Sequence, residues 1–295
     1  MSCRSTLLLV AAMLLSACET PTGRLHAQAL AQGFERSGVV AEGFRHTVFT
    51  SETSLPAGVL HVYLEGDGTP WRYRVIVMAD PTPRRPLMLK LMALDPSPSV
   101  YVGRPCYNGT ATDEGCHNAL WTSGRYSTTV VESMASVIRK LGKRHAARDI
   151  WLFGHSGGGA LAMLLAERIP QVTHLVTVAG NLNTSAWTAH HGYTPLYSSM
   201  NPAQTIPLRT AVRQWHLVGE LDTVIPPRLV SSFIQSQSNA TGIVFSRFGH
   251  GCCWQSVWPQ VLTAVATDQP KYLGGRFGGL EFKQAGQPVN GPGSQ

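Results

Sequence analysis

Charge is scarce in this sequence: 14% of its 295 residues are Asp, Glu, Lys or Arg. Basic residues outnumber acidic ones by 24 to 17, a formal net charge of +7, but they are scattered and never gather into runs. The basic stripe that tracks a phosphate backbone is therefore missing, and nucleic acid is not an expected partner. No Cys-x-x-Cys pair occurs among the cysteines, which removes the usual structural zinc sites and leaves no metal to expect. No glycine-rich loop ends in Gly-Lys-Ser/Thr, so nothing reads as a nucleotide cradle, and no cofactor is implied. The apolar run near the N-terminus, Leu7 to Leu15, is too short to cross a bilayer as a permanent helix. What is present is 43% hydrophobic, enough for one large α/β domain with a substantial core.

The stretch from Asp149 to Arg168 organises the rest. Ile150 to Phe153 is a short apolar run suited to a buried strand, and Ala160 to Arg168 consists of strong helix formers, so the turn between them is forced to be tight. Gly154-His155-Ser156-Gly157-Gly158 in that turn has the spacing G-x-S-x-G, in which glycines keep side chains from clashing with the adjoining strand and helix. Further strands are expected at Leu60–Leu64, Val100–Gly103, His174–Ala179, Gln214–Gly219 and Ile243–Ser246. Helices are expected over Arg85–Leu94, from a Ser127 cap to about Arg144, over about Arg228–Gln237 and over about Trp254–Ala266. The alternation predicts a mostly parallel central sheet with helices on both faces. Residues 181–212 break the rhythm and, lying after a strand, are expected as a lid-like insertion over the site. Trp187 and Tyr193 within it, with Trp71, are candidate pocket walls.

A serine hydroxyl is a poor nucleophile near neutral pH and needs a base to take its proton and a third group to orient that base. In the chain order Ser, acid, His, the expected partners of Ser156 are Asp222, after the Gln214–Gly219 strand, and His250, in Gly249-His250-Gly251 after the Ile243–Ser246 strand. Eleven histidines compete for the role of base. His155 is expected to point elsewhere on the elbow, and His190 and His191 precede the acid. Glu220 is the rival acid. Backbone N–H groups must hold the oxyanion: Gly157 offers one, and the Glu65-Gly66-Asp67-Gly68 turn a second, from Asp67 ahead of Gly66.

These four features together resemble the α/β-hydrolase superfamily, over about residues 44–268. Tyr101-Val102-Gly103-Arg104-Pro105-Cys106, Arg125-Tyr126-Ser127 and Cys252-Cys253-Trp254 resemble a branch of bacterial α/β-hydrolase-like lipoproteins. Many esterases of the superfamily carry His-Gly where this chain has Glu65-Gly66. The resemblance implies the α/β-hydrolase fold and a serine hydrolase that cleaves an ester or related acyl bond of a small-molecule substrate through an acyl-serine intermediate. A peptidase or amidase of the same fold, or a non-catalytic envelope binding protein, are the alternatives.

The N-terminus reads as a processing signal. Arg4 supplies a positive start, Leu7 to Leu15 the apolar region, and Leu15-Ser16-Ala17-Cys18 resembles the lipobox of bacterial lipoproteins, in which the cysteine is acylated; a plain secretory signal cut nearby is the alternative. The expected organisation is a signal peptide over 1–17, a tether over 18–43, the domain over 44–268 and a disordered tail over 269–295. Cys18 would anchor the chain to the cell envelope, and Glu19 after it favours the outer membrane, facing the periplasm. In that oxidising compartment Cys106 and Cys116, which bracket a polar loop, are a candidate disulfide, while Cys252 and Cys253 are either bonded to each other or buried thiols.

Overall fold

The computed structural model describes residues 20–51, 58–205 and 207–273, with the backbone of 280–282. In chain order the elements are α1 (Pro21–Ala31), β1 (Glu35–Ala41), β2 (Phe44–Thr50), β3 (Val59–Leu64), β4 (Trp71–Arg72), β5 (Ile76–Val77), α2 (Leu87–Met92) and β6 (Ser99–Val102). Then come α3 (Thr128–Arg144), β7 (Asp149–His155), α4 (Gly157–Ala166), β8 (Val172–Val178), α5 (Thr184–His191) and β9 (Arg213–Gly219). The chain closes with α6 (Ser231–Ser236), β10 (Ala240–Phe245), α7 (Trp258–Thr267) and β11 (Leu280–Phe282).

One nine-stranded sheet, in the order β1-β2-β6-β3-β7-β8-β9-β10-β11, holds the chain together. Its strands from β6 to β10 run parallel, while β1, β2 and β11 are antiparallel at the two edges. Because side chains alternate along a strand, each central strand feeds two cores. Leu60, Val62 and Leu64 of β3 meet Val130, Met134 and Ile138 of α3 and Leu161 of α4 on one side. Tyr63 of β3 and Phe153 of β7 meet Leu91 of α2 and Trp258 of α7 on the other. The expected mostly parallel sheet with helices on both faces is what forms.

Caps fall where the residue types allow them. Ser127 accepts a hydrogen bond from the Val130 N–H at 3.4 Å and starts α3, and Asn183 accepts one from the Ala186 N–H at 3.1 Å and starts α5. The tether expected over 18–43 is corrected by the structure: Pro21–Ala31 is helical and Glu35–Ala41 is the first strand. Thr20 caps that helix by accepting from the Gly23 N–H, Leu25 and Ala29 are buried beneath it, and the Glu42-Gly43 turn, both residues at positive φ, folds β1 back onto β2. Two buried residues in eleven are too weak a stripe to read from the sequence. The disordered tail is corrected in part, since Leu280–Phe282 pairs with Gly242–Val244 as an edge strand. The signal segment and Cys18 lie outside the described residues. Cys106 and Cys116 are joined with Cα atoms 5.5 Å apart, and Cys252 is bonded to Cys253.

Candidate active site

Ser156 sits between β7 and α4 with φ 53° and ψ −119°, a conformation costly for any residue with a side chain. The surroundings impose it. The Ser156 N–H donates to Val178 at 3.0 Å, and its carbonyl accepts from Gly159 and from Asn181 at 3.0 and 2.9 Å. The glycines serve close approach: a Cβ on Gly154 would overlap the Gly158 carbonyl, and one on Gly158 would overlap the Leu64 carbonyl. These overlaps, not a positive φ, demand glycine at both places.

The loops after β9 and β10 bring Asp222 and His250 to this turn. His250 Nε2 lies 3.0 Å from Ser156 Oγ and His250 Nδ1 lies 2.8 Å from Asp222 Oδ2. The other Asp222 oxygen accepts from the Val224 and Ile225 N–H groups, each at 2.8 Å, so the buried carboxylate is held on both sides. A carboxylate only accepts, so Nδ1 carries the imidazole proton, Nε2 is bare, and the serine hydroxyl donates to it. Burial pushes the His250 pKa down, and its hydrogen bond to Asp222 partly opposes that. Glu220, the rival acid, faces away and accepts from Ser246 and Arg247 on the surface.

His155 does not point elsewhere. Its Nε2–H donates to the His250 carbonyl at 2.9 Å and its ring packs on that of His250, with centroids 4.8 Å apart. His190 and His191 lie on α5, where His190 meets Arg228 at 3.2 Å and His191 meets the Val224 carbonyl at 2.8 Å, and neither is among the residues that line the cleft over Ser156.

The turn after β3 separates the two oxyanion candidates within it. The Gly66 N–H donates to the Glu65 carboxylate at 3.1 Å, and Glu65 also accepts from the Met88 N–H at 2.9 Å. Gly66 is thus already engaged, whereas among the described residues no hydrogen bond occupies the N–H of Asp67 or of Gly157. A side chain on Gly157 would overlap the Asp67 carboxylate, so the two residues are packed together.

Asp67 is held by groups whose convergence the sequence did not reveal. Arg104 approaches Oδ1 at 2.8 Å, Arg125 donates to Oδ2 at 2.9 Å, and the Tyr126 hydroxyl donates to the same carboxylate at 2.7 Å. The Tyr107 hydroxyl donates to the Asp67 carbonyl at 3.1 Å. Burial works to raise the Asp67 pKa, but Arg104 and Arg125 more than offset it and bring it down to about 2. Arg104 and Arg125–Tyr126 belong to stretches that carried the family likeness, and the Cys106–Cys116 bond closes the loop that follows Arg104. Truncating one partner of such a cluster strands buried charge, so Asp67→Ala is expected to lower the unfolding free energy by about 3–5 kcal/mol. Urea denaturation checks this, and an unchanged midpoint would mean that the arginines find other partners.

A cleft of about 1190 Å³ opens over Ser156 and His250. Trp71, Trp187 and Tyr193, expected as pocket walls, line it, and residues 192–196 of the insertion form one side. The site lies at the carboxyl ends of parallel strands, where open α/β sheets place ligands.

Residues 99–178, from β6 through β8 and including the Gly154–Gly158 turn, match the model of the family described as Lipase (class 3). The sheet order, the helices on both faces and the elbow after β7 complete the pattern. The chain has the α/β-hydrolase fold. Among solved structures with this α/β-hydrolase fold, an alpha-beta serine hydrolase homologue from Coxiella burnetii is 16% identical at a TM-score of 0.52, over 79% of this chain and 96% of that one. The Pyrococcus furiosus esterase Pf2001 is 11% identical at a TM-score of 0.54, over 82% of this chain and 94% of that one. No curated protein matches the chain. At these identities the likeness to the two structures is one of fold.

Proposed function

We propose that this α/β-hydrolase cleaves an ester of a small-molecule substrate through an acyl-serine intermediate. The observation that carries the reading is the relay in which His250 Nε2, 3.0 Å from Ser156 Oγ, is bare because Asp222 claims the proton on Nδ1. Ser156 Oγ attacks the carbonyl carbon while its proton passes to Nε2. The oxyanion is received by the N–H groups of Gly157 and Asp67, each donor contributing a factor of about 10²–10³. Collapse breaks the bond to the leaving alcohol, which takes the proton from His250. A water, deprotonated by the same nitrogen, then releases the acid and restores the serine.

A fluorophosphonate probe, with p-nitrophenyl esters run beside aminoacyl anilides, tests the proposal. Labelling of Ser156 with ester turnover supports it. A folded chain that neither labels nor turns over would make the protein a binding one, and faster anilide turnover would make it an amidase.

Burial of His250 also sets a pH dependence. The residue must be neutral to accept the serine proton, so activity is lost as pH falls through its pKa. Because that pKa is lowered, the acid limb of kcat/KM is expected to lie below the ordinary histidine value of about 6.5. A limb at or above that value would contradict the assignment.

The same proposal places the chain in a bacterial envelope, held by an acylated Cys18 in the outer membrane and facing the periplasm. Support comes from the Leu15–Cys18 sequence and from the Cys106–Cys116 bond, which suits an oxidising compartment. Cys18→Ala is expected to move the protein from the detergent phase to the aqueous phase on partition. Retention in detergent would remove the anchor.

A further inference from the structure

The hairpin of β4 and β5 stands out from the surface beside the cleft. Trp71↔Val77 and Arg72↔Ile76 are its pairs, and the Met78 N–H closes its base on the Pro70 carbonyl at 2.9 Å. At its tip Tyr73 and Arg74 both have positive φ, 53° and 64°, although neither is glycine, asparagine or aspartate. Bulky residues rarely take that conformation, and here it projects side chains into solvent. Tyr73 and Val75 are each 75% exposed and Ile76 is 53% exposed, with Trp71 at the base also exposed. Four apolar side chains on one short hairpin form a patch that a monomer in water has reason to avoid.

The charges around the patch share one sign. Arg72 and Arg74 are on the hairpin, and Arg84 and Arg85 follow it on the cleft rim. Among the described residues none of the four is paired with a carboxylate. The three acids of the segment from residue 65 to residue 85 are committed elsewhere, Glu65 to the N–H groups of Gly66 and Met88, Asp67 to Arg104 and Arg125, and Asp80 to the N–H groups of Thr82 and Thr22. That last bond also locates the N-terminal end of the domain. Thr22 donates to Asp80 at 3.2 Å and its hydroxyl meets that of Thr82 at 3.0 Å, so α1 begins against the loop joining the hairpin to Arg84. Cys18 stands four residues before Thr22, at most about 14 Å of extended chain.

We propose that the hairpin of β4 and β5, with Arg84 and Arg85, is a docking surface for an anionic phospholipid bilayer, which holds the cleft mouth against the lipid. Trp and Tyr side chains favour the headgroup level of a bilayer, apolar tips enter below it, and each arginine near an anionic surface contributes about 1 kcal/mol. The hairpin and the arginines carry the inference, and an anchor at Cys18 would hold this same face to the membrane.

Sedimentation of the full-length Cys18→Ala chain with vesicles separates the possibilities, one set of phosphatidylcholine alone and one of equal parts phosphatidylcholine and phosphatidylglycerol. The chain is expected to pellet with the phosphatidylglycerol vesicles only. Arg84→Glu with Arg85→Glu, and separately Trp71→Ser with Tyr73→Ser, are each expected to weaken binding about ten-fold or more while the melting temperature holds. Tryptophan emission should shift to the blue with those vesicles, and Trp71→Phe should remove the shift. Absence of binding to both vesicles, or binding that neither double variant weakens, overturns the proposal. A dimer without lipid that Trp71→Ser with Tyr73→Ser disperses would assign the patch to a second copy of the chain instead. None of these readouts needs hydrolysis, so Ser156→Ala should bind lipid unchanged even if the catalytic reading fails.

Discussion

Ser156→Ala is expected to lower ester hydrolysis by about 10⁵–10⁶-fold while leaving the melting temperature nearly where it was. The asymmetry follows from how the residue is held. Its unusual backbone is imposed by hydrogen bonds to Val178, Gly159 and Asn181, all made by main-chain atoms that alanine retains. The side chain contributes one bond, to His250 Nε2, and water can replace it. Because nucleophile and base act as a unit, adding His250→Ala should cost little more. Initial rates on a p-nitrophenyl ester, with probe labelling of the same preparations, check both statements. Activity of the single variant within ten-fold of the parent would place the nucleophile elsewhere.

The folded protein is expected to lose stability steeply in mild acid, through two histidines outside the site. Burial lowers the pKa of His46 to about 4, with its hydrogen bond to Gly103 working the other way, and lowers that of His216 to about 3. His46 Nδ1–H donates to the Gly103 carbonyl at 2.9 Å, and His216 Nδ1 lies 2.9 Å from the Thr177 hydroxyl. Nε2 of each ring is buried with no partner among the described residues, so no acceptor there receives a second proton. Unfolded, both rings take that proton at about 6.5, so below this pH the unfolded chain binds more protons than the folded one. The stability they contribute is complete above about pH 6.5 and is lost as pH falls toward the two folded values, about 3 kcal/mol for His46 and about 5 for His216. A domain typically has about 5–15 kcal/mol in all, so this is a large share. Urea midpoints followed from about pH 7 to about pH 4.5 should fall continuously, and His216→Gln should flatten the slope. Midpoints that stay level over that range would refute the account.

Local signals in the sequence were sufficient wherever one element carried them. The β7–α4 turn announced itself by spacing, the parallel sheet by apolar runs alternating with helix formers, and Ser127 by its cap. Asp222 and His250 were legible because chain order alone selects an acid and a histidine after late strands. Signals spread over distant segments were not legible. Thr20-Pro21 is a good helix start, yet α1 buries only Leu25 and Ala29, too little to reveal a helix without the sheet edge beside it. His155 looked idle because its partner, the His250 carbonyl, is 95 residues away along the chain. Arg104, Arg125 and Tyr126 gave no local sign that they meet at one carboxylate.

The sequence by itself determined most of the central strands and the helices between them, the Gly154–Gly158 turn that presents Ser156, and the chain order in which Asp222 and His250 follow it, because these depend on neighbours a few positions apart. Only the tertiary structure decided that the Gly66 N–H is spent on Glu65 while those of Asp67 and Gly157 have no partner among the described residues, that two arginines meet at Asp67, and that the hairpin of β4 and β5 stands beside the cleft. Hydrogen bonds and charge pairs act over a few ångströms in space, and folding alone brings side chains from far apart in the chain to that distance.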